Sequence, residues 1–270
     1  MDILHTKYDA LHSRLQELGS LAVAFSGGVD STFLLRVAHD VLGDRALAVT
    51  AAPSFVPVRE QREASDFCRE NGIRQIVIAP DALDIDSIRH NPPDRCYHCK
   101  RMIFGRIIEA AEQNGITHVA EGSNTDDTGD YRPGMRAIRE LGVLSPLLDA
   151  GLSKSDIRVL SKELGLPTWD KPSFACLASR FVYGERITDE KLSMVDRAEQ
   201  LLLDLGFRQF RVRIHGDLAR IEILPEDFGR LMEENLRERI YASLKTYGFS
   251  YITLDLAGYR TGSMNEVLKR

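Results

Sequence analysis

One stretch constrains the fold more than any other: residues 21 to 31, Leu-Ala-Val-Ala-Phe-Ser-Gly-Gly-Val-Asp-Ser. The apolar run Leu21 to Phe25 predicts a buried strand, and Val29-Asp30-Ser31-Thr32 opens an apolar helix. Only Ser26, Gly27 and Gly28 lie between them. A strand that runs through a glycine turn straight into a helix makes an anion site. The first helical N–H groups have no partner inside the helix, the dipole favours negative charge, and glycine lets the backbone approach a phosphate. Ser26 and Ser31 add hydroxyl donors, and Asp30 suits a metal or phosphate. No Lys follows the glycines, so this is not a Walker P-loop, and the spacing is not G-x-G-x-x-G. The bland alternative is an ordinary strand–helix turn that needed two glycines.

The rest of the chain sets that turn in context. Helical spacing runs over residues 2–18, and Gly19 closes that helix. Strands are expected at 21–25, 45–51, 76–79 and 118–122, with helices at 31–42, 59–71 and 99–114. A polar stretch rich in Asp, Asn and Pro covers 81–94. Short apolar strands alternating with helices imply a parallel sheet covered on both faces. Ligands of such sheets lie at the carboxyl ends of the strands, here near the glycine turn, Thr50 and Gly122. After about residue 183 the pattern changes. A helix over 187–205, strands at 207–214 and 218–224, a helix over 226–247 and a strand at 251–256 make a small α+β domain. The expected domains are 1–182 and 183–270.

At 270 residues, with 43% hydrophobic and 28% charged side chains, the chain has the composition of a soluble globular protein. A net charge of −5 argues against a dedicated nucleic-acid surface. The amphipathic N-terminus lacks a signal-peptide core, and no stretch reaches membrane-spanning length. A cytoplasmic setting, with no membrane partner, is expected. There, cysteines act as metal ligands, catalytic thiols or core residues before they form disulfides.

Four constellations could carry chemistry. Cys96-Tyr97-His98-Cys99 is a C-x-x-C that suits zinc, an iron–sulfur cluster or a dithiol pair, and Cys176 lies far off in a loop of small and polar residues. Zinc with His98 as fourth ligand, and no metal at all, are the alternatives to a four-iron cluster. Cys68, on an amphipathic helix, reads as packing. Glu121-Gly122-Ser-Asn-Thr-Asp126-Asp127 follows a strand and can hold Mg²⁺ on triphosphate oxygens, or be a solvated acidic loop. Arg211 and Arg213 alternate onto one strand face with Ser179 and Arg180 upstream. Two guanidiniums can grip a phosphate there, with Glu199 and Glu222 completing the site as metal-ligand candidates; a solvated charged face is the alternative. Finally, Asp255, Tyr259, Arg260 and Ser263 mark the tail as an anchored turn or subunit contact, or as a fraying end.

The string SGGVDS resembles the PP-loop of ATP pyrophosphatases, which cleave ATP between the α and β phosphates. Together, AFSGGVDST, PPDRCYHCKRM, GDYRPGMRA, SFACLASRFVYG, FRVRIHGDLARIEI and YITLDLAGYRTGSMN resemble the LarE family of ATP-dependent sulfur transferases over nearly the whole chain. The resemblance implies a PP-loop (adenine nucleotide alpha hydrolase-like) α/β sheet with a smaller C-terminal α+β domain for substrate binding and oligomerisation. It implies an enzyme that uses ATP and Mg²⁺ to adenylate the carboxylates of pyridinium-3,5-biscarboxylic acid mononucleotide. Sulfur then replaces AMP, giving the precursor of the nickel-pincer cofactor of lactate racemase-type enzymes. Carried over, Ser26, Gly27, Gly28, Asp30, Ser31, Gly122, Asp127, Ser179, Arg180, Arg211 and Arg213 bind nucleotides. Asp30, Lys100 and Cys176 are the catalytic residues. One form of the family consumes a lone cysteine, at Cys176 here. The other holds a [4Fe-4S] cluster on three cysteines, and Cys96 and Cys99 place this chain with it, with Cys96, Cys99 and Cys176 as ligands. Sulfide or another sulfur source and a homo-oligomer complete the expectation. Rival readings are a tRNA-thiolating or other PP-loop ATP pyrophosphatase, and a non-catalytic nucleotide-binding regulator.

Overall fold

Residues 3–129, 133–172, 176–260 and 262–264 are described in the computed structural model. The chain begins with α1 (Ile3–Leu18), β1 (Leu21–Ala24), α2 (Val29–Leu42), β2 (Ala46–Ala51), α3 (Val58–Glu70) and β3 (Arg74–Ile78). The segment Leu83–Pro93, with the short α4 (Asp86–Arg89), packs with the C-terminal half. Next come α5 (Arg95–Gln113), β4 (Val119–Ala120), α6 (Pro133–Glu140), α7 (Pro146–Asp149) and α8 (Lys154–Glu163). The C-terminal half holds α9 (Asp189–Asp204), β5 (Phe210–His215), β6 (Leu218–Ile223), α10 (Phe228–Leu231), α11 (Glu234–Tyr247) and β7 (Tyr251–Leu254). Two compact units result: Met1–Ala82 with Asp94–Phe174, and Leu83–Pro93 with Ala175–Arg270.

The first unit is built on a sheet of order β3-β2-β1-β4 whose pairs are all parallel. Strand alternation explains how it is covered. Leu21 and Val23 join a core with Leu11 and Leu15 of α1, Phe33 and Leu34 of α2, and Ile157 and Leu160 of α8. Ala22, with Leu47 and Val49 of β2, joins a second core with Phe104, Ile107 and Ala111 of α5. Burying a side chain such as Phe33 stabilises the fold by roughly 1.5–3 kcal/mol. The sheet is sandwiched by helices, as the alternating pattern predicts. The strand order reverses between β1 and β4, so their carboxyl ends open the crevice where such sheets bind ligands.

The second unit has the order β5-β6-β7, with β5 antiparallel and β7 parallel to β6. Helix α9 packs on β5 and on α11. The polar stretch 83–93 belongs here because Asn91 anchors it. Asn91 is fully buried with φ 49°, a left-handed conformation that Asn tolerates. Its side chain donates to the carbonyls of Phe181 at 3.2 Å and Val182 at 2.7 Å, and its own carbonyl accepts from Gly184 N–H at 3.0 Å.

Most boundaries shift by one to three residues from the sequence reading, and three of the differences bear on the site or have a clear physical cause. The helix expected over 226–247 is broken, because Glu233 takes an extended φ, ψ of −56°, 132° and starts α11 afresh. Acidic Glu233 and Glu234 suit a helix N-terminus better than a helix middle. Helix α5 starts at Arg95 rather than 99, so the C-x-x-C lies inside the helix. Strand β4 is two residues long, since Gly122 leaves the sheet to pack on the start of α2.

Candidate functional site

The glycine turn after β1 forms a cradle at the N-terminus of α2. Gly27 has φ 70°, which favours glycine, while Gly28 is the N-cap with φ −80° and no side-chain cap bond. The two serines close the turn on itself. Ser26 N–H donates to Ser31 Oγ at 3.3 Å, Ser26 Oγ lies 3.1 Å from Ser31 Oγ, and Ser31 Oγ donates to Gly28 O at 3.2 Å. The loop after β4 lies against this turn. A Cβ on Gly122 would come within 3.0 Å of Ser31 N and 3.1 Å of Asp30 Cβ, so only glycine permits the approach. Asn124 Nδ2 donates to Asp30 Oδ1 at 3.4 Å, and Asp127 Oδ2 accepts from Asn124 N–H at 3.0 Å. Glu121 is buried and satisfied by Ser123 N–H at 3.1 Å, Ser123 Oγ at 2.8 Å and Ser145 Oγ at 2.7 Å. Ser26, Gly27, Gly28, Asp30, Ser31, Gly122 and Asp127 therefore come together at one end of the sheet.

Two lysines that the sequence reading missed complete this end. Lys154 Nζ pairs with Asp30 Oδ2 at 2.5 Å, and Lys171 Nζ donates to Gly27 O at 3.0 Å and to Glu63 Oε2 at 2.6 Å. For the first, the sequence marks only its place at a helix start, not its partner. Ser153 and Asp156 form a capping box at the start of α8, with Asp156 N–H to Ser153 Oγ at 3.2 Å and Ser153 N–H to Asp156 Oδ2 at 3.0 Å. Burial alone would raise the Asp156 carboxyl, but its bonds to Lys7 and Ser153 outweigh that and hold it below its ordinary value. The second lysine had no local signal, because the contact is made entirely by the fold.

Cys96 and Cys99 lie one turn apart at the start of α5, Cys96 exposed and Cys99 half-buried. Arg95 Nη2 is 3.8 Å from Cys96 Sγ. His98, a zinc candidate from the sequence, faces Asp94 Oδ2 at 3.2 Å. Lys100 follows on the same helix, and a Cβ at Gly134 would come within 2.7 Å of its Cδ, so α6 passes close over its stem. Cys176 precedes a short 3₁₀ turn at Leu177–Arg180 in the second unit. Among the described residues, none of the four cysteines forms a disulfide, and no three His, Cys, Asp or Glu side chains converge as a metal group within either unit. Cys68 is buried and its thiol is pushed up to about 12 by burial, the state of an inert packing residue.

In the second unit Arg211 and Arg213 are buried, so β5 is not a solvated charged face. Arg213 donates to both oxygens of Glu222 at 3.1 Å, to Ser263 Oγ at 2.9 Å and to Ser179 O at 2.8 Å. Arg180 grips Glu199 through two bonds of 2.8 and 2.7 Å, both side chains almost fully buried, and also donates to Ser179 Oγ at 2.8 Å. Glu199 further accepts from Val212 N–H at 2.9 Å. Arg211 donates to Phe210 O at 2.6 Å and stacks over Tyr259 with its guanidinium carbon 5.3 Å from the ring centre. Burial first, and the positive charge of Arg180 second, lower its pKa. Glu199 is thus ion-paired with Arg180, and Glu222 with both Arg213 and Arg220. The tail is an anchored turn where it is described. Tyr259 N–H bonds Ile223 O at 2.8 Å, and Ser263 is buried against Arg213. Of the motifs singled out above, residues 130–132, 173–175, 261 and 265 lie outside the described residues.

No family model matches the chain. A protein of Synechocystis that is itself uncharacterised is 41% identical over 269 residues, covering 99% of this chain and 100% of that protein. The pyridinium-3,5-bisthiocarboxylic acid mononucleotide synthase of Lactiplantibacillus plantarum is 40% identical over 271 residues, covering 100% of this chain and 98% of that protein. A glutamine-hydrolysing GMP synthase polypeptide of Thermoplasma acidophilum is 28% identical over 202 residues, 69% of this chain and 64% of that one. Identity at this level over the full length leads to one conclusion: the chain belongs to the pyridinium-3,5-bisthiocarboxylic acid mononucleotide synthase (LarE) family.

Proposed function

We propose that this protein is an ATP-dependent sulfur transferase that converts the carboxylates of pyridinium-3,5-biscarboxylic acid mononucleotide into thiocarboxylates. The observation that carries the reading is its full-length 40% identity to the Lactiplantibacillus synthase. A carboxylate oxygen of the substrate attacks the α-phosphorus of ATP, the bond to the β-phosphate breaks, and pyrophosphate leaves. A sulfur nucleophile then attacks the acyl carbon, and AMP departs with the former carboxylate oxygen. Gly27, Gly28 and the first turn of α2 present N–H groups to the phosphates, Ser26 and Ser31 add hydroxyls, and Lys154 adds positive charge. Asp30 and Asp127 suit the Mg²⁺ that accompanies ATP. Arg211, two residues before Arg213 on β5, suits the phosphate of the mononucleotide.

Cys96, Cys99 and Cys176 fit the [4Fe-4S] cluster in donor chemistry: all three are thiols, and the first two lie one turn apart on one face of α5. Bound there, the cluster would supply a carrier for an additional sulfide. The second form of the reaction uses Cys176 itself as a single-use sulfur donor, leaving dehydroalanine. A cytoplasmic setting suits thiols outside disulfides. Among the described residues, no helix is long and apolar enough to cross a membrane. A homo-oligomer is part of this reading, and light scattering gives its mass.

The test is pyrophosphate and AMP release on adding the mononucleotide to protein, ATP and Mg²⁺, with mass spectrometry of the product for a sulfur-for-oxygen exchange. Release that is independent of the mononucleotide would sink the substrate assignment, and a gel shift with bulk tRNA would move it to the thiolases. Iron content after anaerobic purification and the mass of Cys176 after turnover separate the two sulfur routes. Iron bound and Cys176 intact supports the cluster; dehydroalanine without iron overturns it.

A further inference from the structure

Gly27 and Gly28 stand in tandem, and neither has a Cβ to bias its backbone. The peptide between them can therefore turn over at little cost. Which way it faces matters. A trans peptide points its C=O and N–H in opposite directions, and no cis bond occurs among the described residues. An N–H turned to a phosphate attracts it, and a carbonyl turned to it repels it.

The structure holds this peptide from one side. Lys171 Nζ donates to Gly27 O at 3.0 Å, and Glu63 of α3 holds the same ammonium at 2.6 Å. The turn that carries Lys171 is itself fixed, since Arg158 of α8 donates to Trp169 O at 2.6 Å and to Lys171 O at 2.8 Å. The Lys171 side chain is only 16% exposed, so little water competes for the carbonyl. Helix α3 also lies directly on the turn, because a Cβ on Gly27 would be 3.2 Å from Ala64 Cβ.

We propose that Lys171, held by Glu63 and Arg158, is a positioning residue of the nucleotide loop: it keeps the Gly27 carbonyl turned toward its own ammonium and so keeps the Gly28 N–H turned the other way, to the bound anion. The inference rests on the ATP reading of this loop. It also gives the motif, which lacks the Walker lysine, a lysine that works through the backbone rather than on the phosphates.

Calorimetric ATP affinity, with Mg²⁺, in Lys171→Met, Lys171→Arg and Glu63→Gln tests it. Lys171→Met is expected to weaken ATP binding about 10- to 100-fold, the scale of one charge-assisted hydrogen bond, with Lys171→Arg recovering most of the loss. Glu63→Gln is expected to weaken binding about threefold or more, since it loosens a charge-assisted bond to the lysine. The Gly28 amide resonance in glycine-labelled protein should move in Lys171→Met even without ATP, while the unfolding midpoint stays put. Tighter ATP binding in Glu63→Gln would overturn the proposal, because a freed ammonium that helps must touch the phosphates directly. Unchanged affinity in Lys171→Met overturns it too. Wild-type protein that binds no ATP overturns the nucleotide reading, and this inference with it.

Discussion

Gly28 has φ −80° and ψ 166°, an extended backbone open to any residue, and a Cβ built there meets nothing closer than Ser26 Oγ at 3.5 Å. The protein itself does not need glycine at this position, which leaves the approach of a ligand as the reason for it. Gly28→Val should abolish ATP binding with the far-ultraviolet spectrum and unfolding midpoint retained; unchanged ATP affinity would remove the loop from the site. The arginines of β5 divide in the same way. Arg213→Ala takes the bidentate partner from Glu222, fully buried, and leaves it Arg220 at 3.0 Å, so it should cost roughly 1.5–3 kcal/mol of stability before any effect on binding is seen. Arg211→Ala is the cleaner probe of the phosphate role. It should weaken mononucleotide binding by about 1.5–3 kcal/mol and leave ATP binding alone, as measured by calorimetry with each ligand. Equal loss of both ligands would mark Arg211 as structural.

The elements of the second unit are joined by charge as much as by apolar packing. Arg180 reaches from the 3₁₀ turn at 177–180 to Glu199 of α9, and Glu199 in turn accepts the Val212 N–H of β5. Burial alone would raise the Glu199 carboxyl, but the Arg180 guanidinium, then the charge of Arg211 and the Val212 N–H, outweigh it and hold it below the usual carboxylate range. The folded value is thus lower than the unfolded one. As pH falls, the unfolded chain takes up this proton first. The stabilisation is complete above the ordinary carboxylate value and is lost as pH falls through the folded one. Urea titrations across that acid range should show stability falling, with a shallower fall in Glu199→Gln, which is also less stable at neutral pH by roughly 3–5 kcal/mol. An identical slope in the variant would show that other carboxylates carry the acid response.

At the scale of the whole molecule, the proposed nucleotide site draws on residues spread from Ser26 to Lys171, so a ligand bound there would tie together elements far apart in the chain. A ligand that binds only the folded chain raises its apparent stability, by about 2.7 kcal/mol at one hundred times its dissociation constant. Added ATP with Mg²⁺ should therefore raise the unfolding midpoint in a concentration-dependent way, and in Gly28→Val it should not. An equal rise in that variant would place ATP elsewhere on the protein.

Local chemistry makes much of this legible in the amino-acid sequence alone. The glycine turn, the apolar run Leu21 to Phe25 and the C-x-x-C spacing are each decided by residues within a turn or two of one another, where period and steric freedom act directly. The family resemblance rests on the same short strings, and the full-length relatives agree with it. What only the tertiary structure decided is which distant groups meet. Lys154 on Asp30, Lys171 on Gly27, Asn91 under residues 181–184 and Arg213 against Ser263 are pairings across long stretches of chain. Each depends on how sheets and helices stack, and no periodicity records it. The fate of Arg211 and Arg213 shows the difference most plainly: alternation put them on one face, but the packing around β5 alone determined that the face is buried and that Arg213 meets Glu222 there.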